Sequence, residues 1–491
     1  MKSHDRSRRR SWVAPANNDA RSMSRRQVLS TAFAAGAFYA SGALPGLTGQ
    51  ASAAGFAAVN RRILAHISLN GGPDMRHLFP PPFTYGTSSY GRAHWEGRAS
   101  VHEIANSTSA MRERWNKGYF HVRDAATGTR FGILKRCGWL KRMWDQGNVA
   151  LLCNVYGSGT RAHDRAIRTM EMGNMGAGLL TRGNGWGGRL AQAAGGNVVS
   201  LTRSPRNFCF GPDPAAPRDL SRIDNARLVP ASNTRNIGLF DEDPDAWIGP
   251  REHVVRALRT YYAGKRGDIP KSSVYHQFME HERKLREIGK IIGGRLDSVP
   301  VPSGIEALFG RESPQAGYLA GQMRGVYDAL AVNDLLNLRV LSLEYNGWDT
   351  HDNQRKEMEP RLQALFSLNG YLHSLYKHLP AHAKSKLVWV ITGEFGRQLK
   401  GNGTRGTDHG VGNTVLVIGQ PVNGGVYGEM FPREELERID SASPDITGLT
   451  GIDHAFGRVC NWVKAGSRAS VFPDAAAAPL ESGAGLRNLF G

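Results

Sequence analysis

Carboxylate and imidazole side chains stand directly after the apolar segments of this chain. Six of them have the chemistry of metal ligands: Asp74, Asp349, His351, Glu394, Asp408 and His409. Carboxylate oxygens and imidazole nitrogens are what zinc, manganese and related divalent ions bind in proteins. Such ions lower the pKa of water and hold a phosphoryl or sulfuryl group in line. The residue types therefore predict a centre with one or two divalent ions: zinc, manganese or calcium.

The segments before these side chains have the pattern of β-strands. The predicted strands are 62–69, 149–156, 338–345, 386–391 and 414–419, and helical patterns lie between them. Strands that alternate with helices indicate an α/β fold with a mostly parallel sheet covered by helices on both faces. Ligands bind at the carboxyl ends of the strands in such sheets. We therefore expect Asp74, Asp349, His351, Glu394 and His409 to converge on one sheet edge, although any one of these residues alone is weak evidence.

The glycine-rich turn after the second predicted strand leads into a helix that is expected to begin near residues 160–164. Backbone N–H groups at a helix N terminus favour an anion. Thr160 offers a hydroxyl group there, and Arg161 is predicted to hold an anionic group together with Arg397. A structural salt bridge is the alternative for both arginines. His163 is either a further ligand or a structural histidine bonded to a loop carbonyl.

The first 53 residues are predicted to be a twin-arginine signal segment that is removed. Arg25 and Arg26 precede an apolar, alanine-rich run at 28–47, and Ala51 to Ala53 place small residues where a signal peptidase reads them. The run is too short and too rich in Gly and Ala for a membrane span. We therefore expect the twin-arginine export machinery as a partner, a periplasmic or secreted location, and no stable membrane span after cleavage.

The remaining residues, 54–491, are expected to form one domain. Residues 185–310 are predicted to be an irregular insertion or cap, apart from a charged helical stretch at 276–292. The net charge of the whole chain is +19 and the part after the leader is still basic, which fits an anionic small-molecule or polymer substrate, and an evenly solvated surface is the alternative. Nucleic acid is not expected, because no basic run is interleaved with aromatic residues.

The cysteines are Cys137, Cys153, Cys209 and Cys460, and they form no C-x-x-C pair. A zinc-cysteine site is therefore not expected. Export of a chain that folds in a reducing compartment favours buried free thiols, and disulfides remain the alternative outside the cytoplasm.

Three segments resemble the domain-of-unknown-function 1501 family: Gly-Trp-Asp-Thr-His at 347–351, Gly-Glu-Phe-Gly-Arg at 393–397 and Gly-Thr-Asp-His-Gly-Val-Gly-Asn at 406–413. The segments 69–74 and 161–164 resemble its other two motifs, so the resemblance extends over roughly 60–465. It implies an exported protein with a fold related to that of alkaline phosphatases and sulfatases.

The resemblance also implies a role for each matching residue. Asp74 corresponds to the metal aspartate after the first strand, and Asp349 with His351 corresponds to the acid and histidine of one metal site. Glu394 would be a ligand at the next strand end, and His409 the late histidine. Asp408 is implied either as a ligand or as the residue that orients His409.

The chain departs from the family pattern at two positions. Ala162 stands where family members commonly have a serine, so a phosphatase-type nucleophile would have to be Thr160 or Ser158. Phe395 stands where related enzymes carry a second imidazole, which weakens the case for two ions. The resulting expectation is a metal-dependent hydrolase of phosphate or sulfate esters. The alternatives are direct attack by water at a single ion, and a non-catalytic metal- or ligand-binding envelope protein.

Overall fold

The computed structural model describes residues 56–84, 89–157, 159–174, 180–231, 291–309, 318–441, 444–446, 448–473 and 488–491, with scattered positions between 257 and 289. The predicted signal segment, Ser158 and most of the charged stretch at 276–292 lie outside the described residues.

Nine strands of the described chain form one central sheet. They are β1 (Ile63–Asn70), β4 (Val149–Tyr156), β5 (Asn197–Ser200), β8 (Leu228–Pro230), β9 (Leu338–Asn346), β10 (Leu387–Thr392), β11 (Asn413–Ile418), β12 (Gly425–Tyr427) and β13 (Thr450–Gly451). The order is β12-β4-β11-β10-β1-β9-β5-β8, and β13 pairs with β4. Two further pairs lie apart from this sheet: β2 (Tyr119–Arg123) with β3 (Arg130–Leu134), and β6 (Gly211–Pro212) with β7 (Ile223–Asp224).

The pairing is parallel everywhere in the central sheet except at β11. β1 pairs parallel with β9 and with β10, whereas β11 runs antiparallel to both of its neighbours, β10 and β4. The carboxyl ends of β1, β4, β9 and β10 therefore share one edge with the beginning of β11. The fold is α/β with a mixed, mostly parallel sheet, as the alternation of strands and helices predicts.

Apolar residues explain why the central strands are buried on both faces. Ile63, Ala65 and Ile67 of β1 belong to one core cluster, and Leu64 between them belongs to the other. The same alternation runs through β10, which is buried along its whole length. Successive side chains of a strand point to opposite faces, so an unbroken apolar run fits a sheet with helices on both sides.

The helices that flank the sheet and its loops are α1 (Met75–Leu78), α2 (Tyr90–Gly97), α3 (Thr108–Gly118), α4 (Gly138–Asp145), α5 (His163–Met172), α6 (Trp186–Ala193), α7 (Ser303–Phe309), α8 (Leu319–Ala331), α9 (Asn333–Leu336), α10 (Gln354–Phe366), α11 (Tyr371–His378), α12 (Ala381–Lys384), α13 (Arg433–Arg438), α14 (Ile452–Val463) and α15 (Arg468–Val471). The buried side of α8 belongs to one core cluster and that of α14 to the other.

Two regions differ from the expectation based on the sequence. Residues 185–310, expected to be irregular, contribute β5 and β8 to the central sheet, and these strands are too short to show a pattern. The predicted continuous helix from 357 to 377 is divided into α10 and α11. The division lies at Gly370, where a side chain would collide with the carbonyl oxygens of α10.

The four cysteines are buried and unpaired. None of the helices in the described residues has the length and apolar character needed to cross a bilayer.

Candidate functional site

Three imidazoles point one nitrogen each towards Asp349 at the shared edge of the sheet. The Nε2 atoms of His351 and His409 lie 3.1 Å and 2.9 Å from Asp349 Oδ1. His163 Nε2 lies 3.2 Å from Asp349 Oδ2. The His351 and His409 Nε2 atoms are 2.8 Å from each other. We call these four residues the His3Asp cluster.

Each imidazole of the His3Asp cluster is fixed through its other nitrogen. His163 Nδ1 donates to Glu394 Oε1 at 2.7 Å, His351 Nδ1 to Asp408 Oδ1 at 2.9 Å, and His409 Nδ1 to the Arg161 carbonyl at 3.0 Å. All three Nδ1 partners are oxygen acceptors and favour a proton on Nδ1, while the Nε2 atoms face the Asp349 carboxylate, which is also an acceptor. The three Nε2 atoms therefore point inwards, towards Asp349.

The close approach of the Nε2 atoms to Asp349 indicates how the cluster fits a metal ion. An imidazole lone pair and a carboxylate oxygen about 3 Å apart repel each other unless a proton or a metal ion lies between them. Ligand atoms at about 2.1 Å from an ion stand about 3.4 Å apart in a tetrahedron. The ligand atoms of His163, Asp349 and His409 all lie within 4.8 Å of one another. These three residues therefore have the composition and spacing of a site for one divalent ion, and His351 lies beside them with its Nε2 2.8 Å from His409 Nε2.

Asp349 is held in place by Arg397, which is fully buried. The Arg397 guanidinium donates to Asp349 Oδ1 at 2.7 Å and to the carbonyls of Gly71, Gly72, Trp348 and Thr407. Burial alone would raise the pKa of Asp349, but hydrogen bonds from His409 and Arg397 lower it to about 2. Arg397 therefore positions Asp349 and links the loops whose carbonyls it contacts. Its guanidinium donors bind these protein acceptors, whereas the sequence predicts that they hold an anionic group.

Glu394 lies behind His163 and is only 1% exposed. Its carboxylate accepts hydrogen bonds from the backbone N–H groups of Gly71 and Gly72 at 2.9–3.1 Å and from His163. Both glycines have positive φ, and a Cβ at Gly71 would lie 2.2 Å from the Asp349 nitrogen. Glu394, which the sequence predicts as a metal ligand, thus contacts His163 and is not itself part of the His3Asp cluster. The sequence indicates only a turn at these glycines, and no local sequence pattern predicts their contact with Glu394.

Asp74 is buried below this edge, with its carboxylate enclosed by protein donors. It caps α1 by accepting from the backbone N–H groups of Arg76 and His77, and it accepts from Gln354 at 2.6 Å and from Arg98. Burial opposes its ionisation, but the Arg98 charge lowers its pKa. Gln354 in turn accepts from Thr350 and Thr407, next to the ligand loops. Asp74 therefore supports these loops, and the structure does not bring it into the His3Asp cluster.

The beginning of α5 carries the residues that the sequence predicts as a source of a nucleophile and as an anion-binding group. Ala162 is the N-cap residue and makes no side-chain cap, and its N–H donates to Thr160 Oγ1 at 3.2 Å. Arg161 pairs with Asp445 through its side chain and accepts from His409 through its carbonyl. Thr160 and Arg161 thus lie near the cluster, and His163 is part of it.

The His3Asp cluster opens to solvent on one side. Asp349 is 45% and His351 40% exposed, and Asp408 is also exposed. On the other side the buried ring of Phe395 packs against His163 and His409 with centroids 5.0 Å and 4.5 Å away. Solvent or a small ligand therefore reaches the cluster from one direction.

Comparison with known proteins gives one finding for this region. Residues 335–434 match the model of the family described as "Protein of unknown function (DUF1501)". The matched segment contains Asp349, His351, Glu394 and His409, whereas His163 precedes it. No curated protein and no solved structure is significantly similar to the chain. The similarity thus supports the predicted domain family for the segment that holds most of the His3Asp cluster.

Proposed function

We propose that the chain is an exported metal-dependent hydrolase that binds one divalent ion in the His3Asp cluster and cleaves phosphate or sulfate esters with water. The observation that carries the proposal is the convergence of three imidazole Nε2 atoms on Asp349, with each ring held by a hydrogen bond at Nδ1. Three imidazoles favour zinc, manganese or iron over calcium, which prefers oxygen ligands.

The residues of the chain have separate roles in this proposal. His163, His351, His409 and Asp349 would hold the ion, and Arg397, Glu394 and Asp408 fix their orientation. A divalent ion bound here would supply a lowered pKa for water and would polarise an ester oxygen. The exposed side of Asp349 and His351 leaves room for an ester group. Water is proposed as the attacking group because Ala162 has no hydroxyl.

A non-catalytic metal-binding protein is the second candidate, and a specific observation favours it. His351 lies 3.1 Å from Asp349 Oδ1, and as a fourth ligand beside His163, Asp349 and His409 it would complete the tetrahedron of structural zinc sites. Catalytic zinc sites usually keep three protein ligands and one open position. Under this candidate the protein binds the ion and turns over no ester.

The test combines metal content with ester hydrolysis in the purified protein. We expect about one zinc or manganese ion per chain and turnover of a generic aryl phosphate or aryl sulfate. Asp349→Asn and His409→Ala should lose both, whereas His373→Ala, a histidine on the helix α11, should lose neither. A metal-free wild-type protein after dialysis against zinc and manganese would refute the proposal. Stoichiometric metal without turnover would favour the second candidate.

A further inference from the structure

Glu394 stands out at the site because it is a buried carboxylate that faces two backbone donors and one imidazole. One of its oxygens, Oε2, accepts from Gly71 and Gly72 at 3.1 Å each, and the other, Oε1, accepts from Gly71 at 2.9 Å and from His163 at 2.7 Å. The glycine N–H groups belong to a backbone turn with positive φ. Backbone donors cannot change which atom carries their proton, so this side of Glu394 must always offer acceptors.

We propose that Glu394 acts as a tautomer lock: by accepting from Gly71, Gly72 and His163 together, it holds the neutral His163 ring in the Nδ1-protonated form that leaves Nε2 free to bind a metal ion. This inference rests on the proposed function for its metal, and it adds a positioning residue to that site. The ring nitrogen that carries the proton is set by the hydrogen bonds that the two nitrogens make. Both His163 nitrogens face carboxylate oxygens, and the contact of Nδ1 with Glu394, at 2.7 Å, is shorter than that of Nε2 with Asp349, at 3.2 Å.

The substitution Glu394→Gln separates this role from simple packing. The amide has nearly the shape of the carboxylate but only one acceptor oxygen. If that oxygen takes the Oε2 position, it accepts from Gly71 and Gly72, and the amide NH2 faces His163 Nδ1 and also lies near the Gly71 N–H. The opposite orientation would place the NH2 group against both glycine N–H groups and would leave the Gly72 N–H without its acceptor. The imidazole can change tautomer and a backbone N–H cannot, so the first orientation is favoured and the His163 proton moves to Nε2.

Asp408 provides a matched control at His351. Its Oδ1 alone accepts from both His351 Nδ1 at 2.9 Å and Asn402 Nδ2 at 3.1 Å. Asp408→Asn also removes one negative charge near the cluster, but its single oxygen serves both donors. The His351 tautomer should therefore stay the same.

The experiment measures the tautomers directly by ¹⁵N NMR of histidine-labelled, metal-free protein at pH 9, with His163→Gln to assign the signals. We expect Nδ1-protonated His163 in the wild type and Nε2-protonated His163 in Glu394→Gln. Zinc affinity, measured with a competing chelator, should fall about 10- to 100-fold in Glu394→Gln and clearly less in Asp408→Asn.

Three outcomes would overturn the lock. The first is an Nε2-protonated His163 in the wild type, which needs no variant to fold. The second is an unchanged His163 tautomer in Glu394→Gln. The third is an equal loss of zinc affinity in the two variants, because charge alone would then explain it. The tautomer is read without metal or substrate, so a protein that locks His163 but hydrolyses nothing would refute the proposed function and leave the lock standing.

Discussion

Ala162 occupies the position at the site where a side-chain hydroxyl would have two uses. It is the N-cap of α5 and the neighbour of His163, and its methyl group satisfies none of the free N–H groups of the first helical turn. A serine there would cap the helix and would also stand beside the His3Asp cluster. The two effects are separable, because the first changes stability and the second changes catalysis.

Ala162→Ser should therefore stabilise the protein by about 0.5–2 kcal/mol, the usual gain from an N-cap hydroxyl. It should change ester hydrolysis little if water is the attacking group, as proposed. Urea unfolding measures the first effect and steady-state hydrolysis with added zinc or manganese measures the second. A large rise in turnover with an initial burst would instead indicate covalent attack by the new serine, and the water route would be wrong.

The side chains predicted to form the site differ in how far the sequence predicts their roles. Asp349, His351 and His409 follow or precede strands of one sheet, so their meeting at its edge follows from the fold class. The roles of Asp74 and Arg397 do not, because each depends on partners from distant segments: Arg98 for the first, and backbone carbonyls for the second. Strand periodicity contains no information about such partners.

At the scale of elements, one buried carboxylate links α10 to α1 and α3. It belongs to Glu359. Glu359 accepts from His77 Nε2 at 3.1 Å, contacts Arg114, and lies 3.3 Å from Arg136. Burial alone would raise the pKa of Glu359, but the hydrogen bond with His77 and the nearby arginines lower it to about 2. The ionised form is therefore part of the folded structure.

Glu359→Gln should destabilise the protein by about 3 kcal/mol, because it leaves buried cations without their partner. Glu357→Gln, on the exposed side of the same helix, should cost no more than about 1 kcal/mol. Denaturant unfolding at pH 7 measures both. Equal effects of the two variants would contradict the role assigned to Glu359.

The same carboxylate also predicts a pH dependence. Its pKa is lower in the folded state, so its contribution to stability is complete above the unfolded value near 4.5 and is lost as the pH falls towards 2. The melting temperature of the wild type should fall over this interval, and it should fall less steeply in Glu359→Gln. Parallel pH profiles of the two proteins would show that other groups determine the acid sensitivity.

The secondary-structure elements, like the site residues, differ in how far the sequence predicts them. The long apolar strands β1, β4, β9 and β10 are predictable to within a residue or so, since burial on both faces requires an unbroken apolar run. The direction of β11 is not predictable, because an antiparallel strand buried on both faces has the same composition as a parallel one. The short strands β5 and β8 are assigned to the sheet by their neighbours rather than by their own sequence.

At the scale of the whole molecule, the location of the protein remains a prediction from its first residues. Changing Arg25 and Arg26 together to Lys should leave the precursor in the cytoplasm, because lysine keeps the charge but lacks the guanidinium group. Fractionation and immunoblotting of cells that express the wild type and the double variant measure this. Normal export of the double variant would contradict the twin-arginine prediction.

The position of β1 also affects how the chain can fold as it is made. β1 lies between β9 and β10, whose first residues follow it by more than 270 positions. A growing chain therefore displays an apolar strand with two unpaired edges until residues 338–392 have left the ribosome. Truncations that end before residue 387 should consequently aggregate during synthesis rather than accumulate as a soluble fragment.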